Sequence, residues 1–346
     1  MHSPRRRHPV HQLGTDKLHP VDSVLGINPK AQATADGAEL SCHGLIVWSQ
    51  SMEGLIEIGA WTAYSGAMCQ TTLAAFQFNP LAGEVDRNLA EVEKALREAA
   101  ASGIQFVGLP EMWPTSFVDV AGQAEELVER TAAALQRVEE LTRELDLVVC
   151  GSAFGPTGDP DRLYNRLHVI DRGKHVTTYD KVHLFTPTAE PRHFLAGDRA
   201  PEVVDTLAGR VAGATCYDLR FPETFRPAFR DGVQILCVPA QWPEVRILQW
   251  RALAIARAVE NQCFVVAVNR TGTVKIGRRG KELLFPGASL IVDPHGAVLA
   301  EAAGESGLVS AQVDLAAARQ MRVRIPVEKD ERAALYSEWQ REAQQK

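Results

Sequence analysis

Three polar residues of this sequence follow short apolar runs and are of the types that amide hydrolysis requires. Glu111 comes after the run IQFVGLP, Lys181 closes the run HVTTYDK, and Cys216 comes after the run VAGAT. A free thiol titrates near ~8.5, so a nucleophilic cysteine needs a neighbouring base or cation. A buried carboxylate can be that base because burial raises its pKa towards neutrality. An ammonium can stabilise the thiolate and then the oxyanion, with the backbone N–H of Tyr217 as second donor.

Each of these residues also has a simpler interpretation when it is considered alone. A glutamate after a strand is usually a helix cap or a surface carboxylate, a lysine at a strand end is usually solvated, and a cysteine in an apolar run is usually core. Two histidines, His183 and His193, allow another hypothesis, a Cys–His thiol hydrolase. That hypothesis leaves Glu111 and Lys181 without a role, so the sequence favours Cys–Glu–Lys chemistry.

The residues around the cysteine and on the later helix are predicted to be structural. Asp218, Arg220 and Glu223 are expected to form an ion-pair set that braces the turn after the cysteine. The side chains expected to serve as packing and caps on the helix are Trp250, Arg257 and Glu260.

The elements that must position these residues alternate along the chain. Apolar runs and helical periodicity predict strands over 71–76, 104–109, 147–150, 211–216, 233–238, 263–268, 288–292 and 308–313, and helices over 86–100, 124–145, 223–229 and 248–260. A hairpin is predicted over 164–181, turning at 171–173. Mixed strands and helices in one run indicate an α/β layered domain, in which sites lie at strand ends.

Composition limits the possible partners. The chain has 346 residues, 45% hydrophobic and 23% charged, with a formal net charge of −6. This is the composition of a soluble globular protein, and it favours neither nucleic acid nor an anionic membrane surface as partner. No apolar run is long enough to cross a bilayer, and no zinc-binding spacing of cysteines or histidines is present. We therefore expect a cytoplasmic protein without a metal or other cofactor.

Three segments, FVGLPEMW, YDKVHLF and GATCYDLRFPE, resemble in the same order the signature segments of the nitrilase superfamily of carbon–nitrogen hydrolases. The resemblance extends over 68–336. It implies Glu111 as general base, Lys181 as the lysine that stabilises the oxyanion, and Cys216 as nucleophile. It also implies a four-layer α-β-β-α sandwich that pairs through a helical face into a homodimer or larger homo-oligomer.

The resemblance, and the regular apolar pattern that begins after Met68, divide the chain into three segments. Residues 1–67 are predicted to be a poorly ordered extension or a translated leader, with a transit peptide or a DNA-contacting arm as alternatives. Residues 68–326 are expected to form the single carbon–nitrogen hydrolase domain, and residues 327–346 a C-terminal tail.

Many members of the superfamily carry a second glutamate in the loop after the lysine. Glu190 occupies the matching place in TPTAEPRHFLAGD, where it would hold the lysine and help to position the water that resolves the thioester. Alternatively, Glu190 is a loop carboxylate that pairs with Arg192.

The substrate is indicated by the residues after the cysteine. Members that attack nitriles usually follow it with Trp-Glu, whereas this chain has Tyr-Asp, as amidases do. PAQWPEVR, ARAVENQ and RIPVEKDERAALY resemble the ω-amidase branch, which acts on α-keto acid ω-amides such as 2-oxoglutaramate. MWPTSF after Glu111 departs from that branch. The alternatives are an N-carbamoyl amine or deaminated-glutathione-type amidase and, in another class, a non-catalytic scaffold member.

The substrate-binding candidates combine aromatic, amide and cationic side chains. Among them, Arg246 is the guanidinium suited to a substrate carboxylate, with a surface position at a helix start as the alternative. The full set is Trp113, Tyr217, Gln241, Trp242 and Arg246.

Overall fold

Two six-stranded sheets form the framework of the described part of the chain, residues 70–276 and 281–344, in this computed structural model. The predicted extension over 1–67 lies outside the described residues. The strands are β1 (Gln70–Gln77), β2 (Phe106–Gly108), β3 (Val148–Gly155), β4 (Tyr164–Asp171), β5 (Lys174–Asp180), β6 (Val204–Thr206), β7 (Gly209–Gly213), β8 (Ile235–Ala240), β9 (Phe264–Asn269), β10 (Thr271–Ile276), β11 (Lys281–Pro286), β12 (Leu290–Val292), β13 (Val298–Glu301) and β14 (Gly307–Asp314).

In the described part of the chain, four helices connect strands, and three more follow β14. They are α1 (Val85–Ala101), α2 (Ala124–Leu145), α3 (Arg226–Arg230), α4 (Ile247–Asn261), α5 (Ala316–Arg324), α6 (Val327–Asp330) and α7 (Ala333–Gln344). The first sheet has the order β14-β1-β2-β3-β4-β5 and the second has the order β13-β12-β9-β8-β7-β6. Within the described residues, none of these helices is both long and apolar enough to span a membrane.

Each sheet has a parallel centre. The strands β1, β2 and β3 run parallel in the first sheet, and β7, β8 and β9 run parallel in the second. The carboxyl ends of parallel strands meet at one edge of a sheet, where layered folds form their sites. Glu111 lies shortly after β2, Cys216 shortly after β7 and Gln241 directly after β8. The topology therefore delivers these side chains to corresponding edges.

The two sheets pack face to face, and helices cover their outer faces. Leu73 and Phe106 of the first sheet share one core with Val211 and Val266 of the second. The helices α1 and α2 cover the other face of the first sheet, while α4 packs on the second sheet through side chains such as Ala254. These layers confirm the predicted α-β-β-α sandwich.

The long helices follow their sequence patterns closely. The buried positions of α1, among them Val92, Leu96 and Ala99, recur every three or four residues and place one apolar stripe on the sheet. Gly103, with φ +70°, follows the helix end and reverses the chain in the left-handed region that glycine adopts without strain. The helix α2 spans the predicted range 124–145.

The short elements differ from prediction for local reasons. The strand predicted over 211–216 ends at Gly213, and Cys216 instead opens a 3-10 turn. The helix predicted over 223–229 begins only at Arg226. A helix that included residue 223 would need the N–H of residue 227, and Pro227 has none. Several short elements were not predicted: β6, the β10–β11 hairpin, β13 and α5. The segment 327–346, predicted as a tail, contains α6 and α7.

Gly108 in β2 lies where the two sheets approach each other closely. A Cβ at this position would lie 2.6 Å from Val268 Cγ2 and 3.2 Å from Cys237 Sγ, both on the opposite sheet. We expect Gly108→Ala to lower the free energy of unfolding by about 1–3 kcal/mol, because the packed sheets have no room for the methyl group. The measurement is urea unfolding of the purified variant.

Gly307 in β14 supplies the matched control, because a Cβ there meets no atom within 4 Å. Gly307→Ala should change the free energy of unfolding by less than about 1 kcal/mol. Equal losses for the two variants would contradict close packing as the cause.

Candidate active site

A buried ammonium between two carboxylates forms the centre of the site. The Nζ atom of Lys181 donates to Glu111 Oε1 at 2.9 Å and to the two carboxylate oxygens of Glu190 at 2.8 and 3.0 Å. The Lys181 and Glu111 residues are each only 1% exposed. Charges buried so deeply persist only when they are paired and hydrogen-bonded. The ion pairs therefore join the segment after β2 to the two ends of the loop over residues 181–190.

Neutral donors complete the surroundings of Glu111. Asn165 Nδ2 donates to Glu111 Oε1 at 2.8 Å, and the backbone N–H of Gln241 donates to Glu111 Oε2 at 2.9 Å. The side chain of Gln241 also donates through Nε2 to the backbone oxygen of Glu111, at 2.9 Å. Both the carboxylate and the main chain of Glu111 are thus held in one orientation.

Glu190 lies at the start of a 3-10 turn, Glu190–Arg192, after Ala189 in a left-handed conformation. Its Oε2 accepts the backbone N–H of Phe185 as well as a bond from Lys181. The structure pairs Glu190 with Lys181, which is the arrangement the family resemblance implies, and gives no pairing with Arg192 among the described residues.

Cys216 occupies a sharp turn beyond the end of β7. It has φ +48°, which is uncommon for a residue with a side chain, and it opens the 3-10 turn Cys216–Arg220. Such backbone strain concentrates at functional positions. The residue is 9% exposed, and its thiol interacts with the Glu111 carboxylate. Because Tyr217 lies in the first turn, its N–H has no partner within the turn and can meet a developing oxyanion.

Burial and charge set the protonation states of the three central groups. Desolvation raises the pKa of Glu111, an effect that Lys181 opposes and Glu190 reinforces. Desolvation also raises the pKa of the Cys216 thiol well above its usual value, with Glu111 adding to the shift. For Lys181, desolvation lowers the pKa, but the two carboxylates outweigh it and hold the pKa well above the usual value. The resting site therefore has a protonated thiol beside a base of raised pKa and a permanent ammonium.

Asp218 anchors the turn that carries the nucleophile. It is fully buried and accepts the hydroxyl of Tyr179 at 2.8 Å, the backbone N–H of Thr215 at 3.1 Å and the backbone N–H of His183 at 2.9 Å. The N–H of Val182, next to Lys181, in turn donates to the Tyr179 hydroxyl. Asp218 thus connects the cysteine turn to the strand that carries the lysine.

The predicted ion-pair set of Asp218, Arg220 and Glu223 was wrong in its partners. Asp218 bonds to the groups just described, and Arg220 donates to the side chain of Gln249 and lies over the ring of Trp242. The Asp218 carboxylate caps its own turn through the N–H of Thr215 and takes its other bonds from Tyr179 and His183, on the segment around Lys181, so it forms no ion pair with Arg220.

The two histidines of the alternative hypothesis have other contacts. His183 Nδ1 lies 2.8 Å from Asp218 Oδ1, and its ring stacks on Phe221 at 3.7 Å. His193 Nδ1 lies 3.8 Å from Asp119. The carboxylate beside the Cys216 thiol is that of Glu111, so the geometry supports a glutamate as the base.

The substrate-binding candidates divide into two groups. Tyr217 packs edge-on against Phe185, at 4.9 Å between ring centroids, and the guanidinium of Arg246 lies 5.2 Å from the centroid of Phe185. Trp242 donates through Nε1 to the backbone oxygen of Arg246. These contacts run from the Arg246 segment, through the ring of Phe185, to Tyr217, the residue after the nucleophile.

The other two candidates have core or positioning contacts. Trp113 packs in the apolar cluster beneath α1 and α2, with Leu109 and Gly151 among its neighbours. The side-chain amide of Gln241 is bonded at both ends to protein groups, Glu111 and Arg270. This placement differs from the pocket wall predicted for both residues.

Two residues of the site were missed in the sequence. Asn165 alternates with Leu167 and Val169 on the buried face of β4, so a polar residue in an apolar stripe was the available signal. Arg270 follows the apolar strand β9 directly, and it is buried. No local pattern indicates that its guanidinium points inward.

Known proteins that this chain resembles include amide hydrolases, in agreement with the geometry of the site. Residues 72–323 match the family model described as carbon-nitrogen hydrolase. A 2-oxoglutaramate amidase of Bacillus subtilis is 33% identical over 267 residues, covering 77% of this chain and 99% of the relative. A deaminated glutathione amidase of Synechocystis sp. is 31% identical over 254 residues, covering 69% of this chain and 90% of the relative.

A solved structure of an amidase is also similar. It is a mutant of the amidase from Nesterenkonia sp. AN1, with the acetamide moiety of fluoroacetamide added covalently at the active site cysteine. The two chains superpose with a TM-score of 0.67 at 27% identity, covering 78% of this chain and 96% of the other.

Substitution of the central residues should separate chemistry from folding. We expect Cys216→Ala to abolish turnover, because no other nucleophile lies in the cluster described above. Glu111→Gln and Lys181→Ala should each reduce kcat by about 2–3 orders of magnitude, as for removal of one acid–base or oxyanion group. Ammonia release measures turnover, and circular dichroism verifies the fold. Near-normal turnover by a folded Cys216→Ala protein would contradict the assignment.

The pH dependence should report the ionisation of Glu111. The base must be ionised to take the thiol proton, so kcat/KM falls as the pH falls through the pKa of Glu111. Because burial raises that pKa, the acid limb should lie above pH 4.5, the ordinary value for glutamate. The measurement is kcat/KM against pH, with circular dichroism at each pH as control. A constant kcat/KM down to pH 4.5 in a folded protein would rule out a desolvated base.

Proposed function

The chain belongs to the carbon–nitrogen hydrolase family and is a hydrolase that acts on amides, and from this premise we propose an ω-amidase that converts α-keto acid ω-amides such as 2-oxoglutaramate to the acid and ammonia. The observation that carries the proposal is the buried Lys181 between Glu111 and Glu190, with the Cys216 thiol beside the first of these carboxylates. The similarity to a 2-oxoglutaramate amidase supports the substrate.

In the first half of the reaction, Glu111 takes the proton of the Cys216 thiol as the sulfur attacks the amide carbon. Lys181 Nζ and the N–H of Tyr217 stabilise the oxyanion that forms. The protonated Glu111 gives its proton to the leaving nitrogen, the carbon–nitrogen bond breaks, and ammonia departs. The acyl group is left on Cys216 as a thioester. The covalent adduct on the active site cysteine of the Nesterenkonia amidase supports Cys216 as the nucleophile.

In the second half, a water molecule takes the place of ammonia. Glu111 removes one proton from the water as its oxygen attacks the thioester carbon, and the same oxyanion donors act again. Collapse of the intermediate breaks the carbon–sulfur bond, releases the carboxylic acid and returns the proton to the thiol. Glu190 keeps Lys181 in place through both halves by its two contacts with Nζ.

The small acyl group of the proposed substrate carries a carboxylate, which an aromatic pocket can accept only beside a fixed cation. Lys181 is engaged with two carboxylates, so another positive group must meet the far end of the substrate. Arg246 lies over Phe185, and Phe185 packs on Tyr217, next to the nucleophile. The bond from Trp242 Nε1 to the Arg246 backbone oxygen holds that segment in place.

A second guanidinium favours a second candidate substrate. Arg220 lies over the ring of Trp242, 5.0 Å from its centroid, on the turn that begins with Cys216. Two guanidinium groups, one over Trp242 and one over Phe185, suit an amide with a carboxylate at each end, such as deaminated glutathione. The similarity to a deaminated glutathione amidase supports this alternative.

Two further predictions from the sequence are retained as proposals, a cytoplasmic location and assembly into a homodimer or larger homo-oligomer. The cysteines Cys150, Cys216, Cys237 and Cys263 are free thiols, as is usual in a reducing compartment. Val245, in the turn before α4, and Leu248, in its first turn, are exposed apolar side chains that self-association would cover.

The substrate proposal predicts a charge-selective loss on substitution of Arg246. We expect Arg246→Leu to lower kcat/KM on 2-oxoglutaramate by about 2–4 kcal/mol, as for truncation of one member of a charge pair. An uncharged amide of similar length should be hydrolysed at nearly the wild-type rate. Ammonia release from both substrates, and from an N-carbamoyl amine, is the measurement.

Arg220→Leu is the matched control, since it removes the neighbouring guanidinium. With 2-oxoglutaramate, Arg220→Leu should lower kcat/KM less than Arg246→Leu does. With deaminated glutathione, the two variants should lower kcat/KM by similar amounts. Equal losses of Arg246→Leu on charged and uncharged amides would make Arg246 a structural residue. Ammonia from the carbamoyl amine but none from 2-oxoglutaramate would overturn the substrate proposal.

A further inference from the structure

Arg270 is a buried cation with no part in the mechanism described so far. It follows β9 directly and is 1% exposed. Its guanidinium donates to five acceptors, all of them uncharged: Thr271 O, Ser116 Oγ, Gln241 Oε1, Asn79 Oδ1 and Pro80 O. A guanidinium has five N–H donors, so these bonds use its whole donor capacity. Arg270 therefore has no donor left for a substrate carboxylate, and its role must be exerted through its neighbours.

One of those neighbours is the residue that holds the general base. Arg270 Nη1 donates to Gln241 Oε1 at 3.0 Å. A guanidinium cannot accept a hydrogen bond, so this contact forces the oxygen of the Gln241 amide towards Arg270 and the nitrogen away from it. Gln241 Nε2 then donates to the backbone oxygen of Glu111, and the Gln241 N–H donates to its carboxylate. A rotated amide would place oxygen against oxygen at Glu111.

A second neighbour belongs to the loop that carries the base. Arg270 Nη1 also donates to Ser116 Oγ at 2.7 Å, and Ser116 has a left-handed conformation with φ +53°. Asn79 and Pro80 follow β1 of the first sheet, whereas Arg270 follows β9 of the second. Arg270 thus ties together the strand ends of both sheets around the segment that begins with Glu111.

We propose that Arg270 is a positioning residue for the general base, acting through Gln241 on the carboxylate of Glu111. The inference rests on the proposed Cys216 chemistry, in which Glu111 takes the thiol proton. The N–H of Gln241 stabilises the ionised form of Glu111, since a hydrogen bond to the charged form favours it. Loosening Gln241 weakens that bond, so the proton is held more tightly by Glu111 and the base is ionised only at higher pH.

The test is the rate at which iodoacetamide alkylates Cys216, followed by mass spectrometry across pH in wild type and in Arg270→Met. This variant keeps an unbranched chain as far as the position of Nε and removes all five donors. We expect the acid limb of the alkylation rate to move to higher pH by about one unit, so the rate below the limb falls about tenfold. Gln241→Met leaves Arg270 in place and removes the same connection, and it should move the limb in the same direction.

Arg322→Met is the matched control. Arg322 is another inward-facing arginine, and it donates to the backbone oxygens of Val233 and Asn261. Val233 precedes β8, whereas Gln241 follows it, so this guanidinium serves the opposite end of the same strand. Arg322→Met removes as many donors and should leave the acid limb where it is in wild type.

The outcomes separate positioning from stability. An unchanged limb in folded Arg270→Met, with only a lower melting temperature, would overturn the inference. If Arg270→Met does not fold, Gln241→Met decides the matter by the same criterion. A limb that moves equally in Arg322→Met would also overturn it. The alkylation assay needs no amide substrate, so a shifted limb in a protein that hydrolyses no amide would leave this inference standing and defeat the proposed function.

Discussion

The bonds from the Lys181 ammonium to two buried carboxylates are the interaction on which the rest of the site depends. One cation between the carboxylates of Glu111 and Glu190 leaves an excess of one negative charge in a buried region. Desolvation of such a group is costly unless other donors share the charge. The structure supplies them as neutral N–H groups from Asn165, Gln241 and Phe185. The base thus stays ionisable while its pKa is raised, which is the condition for general base chemistry near neutrality.

This cluster also explains why two sheets are needed. Lys181 and Glu111 are carried by the first sheet, whereas Cys216 and Gln241 follow strands of the second. Neither sheet alone brings a nucleophile to a base. Close packing at positions such as Gly108, where even a methyl group has no space, fixes the separation of the two halves. The core that stabilises the fold is therefore the same structure that sets the distances in the site.

The turn at Cys216 shows how local strain is maintained. A left-handed cysteine is unfavourable in isolation, and such conformations persist only where the surroundings determine them. Asp218 supplies that restraint, since its carboxylate accepts bonds from Tyr179, Thr215 and His183. Two of these donors belong to the segment around Lys181. The position of the nucleophile is thus tied directly to the position of the cation that stabilises its oxyanion.

The sequence by itself determined the layered α/β class, the long helices and the three central residues. Hydrophobic periodicity is a local property, so the helix over 124–145 and the turn at 171–173 could be read directly, and three signature segments indicated Cys216, Glu111 and Lys181. Tertiary structure alone decided which partners these residues have. Asn165 and Arg270 contact the site from strands far away in the sequence, and Gln241 turns out to hold the base. Hydrogen bonds between strand ends depend on the packing of two sheets, and no pattern within one segment encodes that packing.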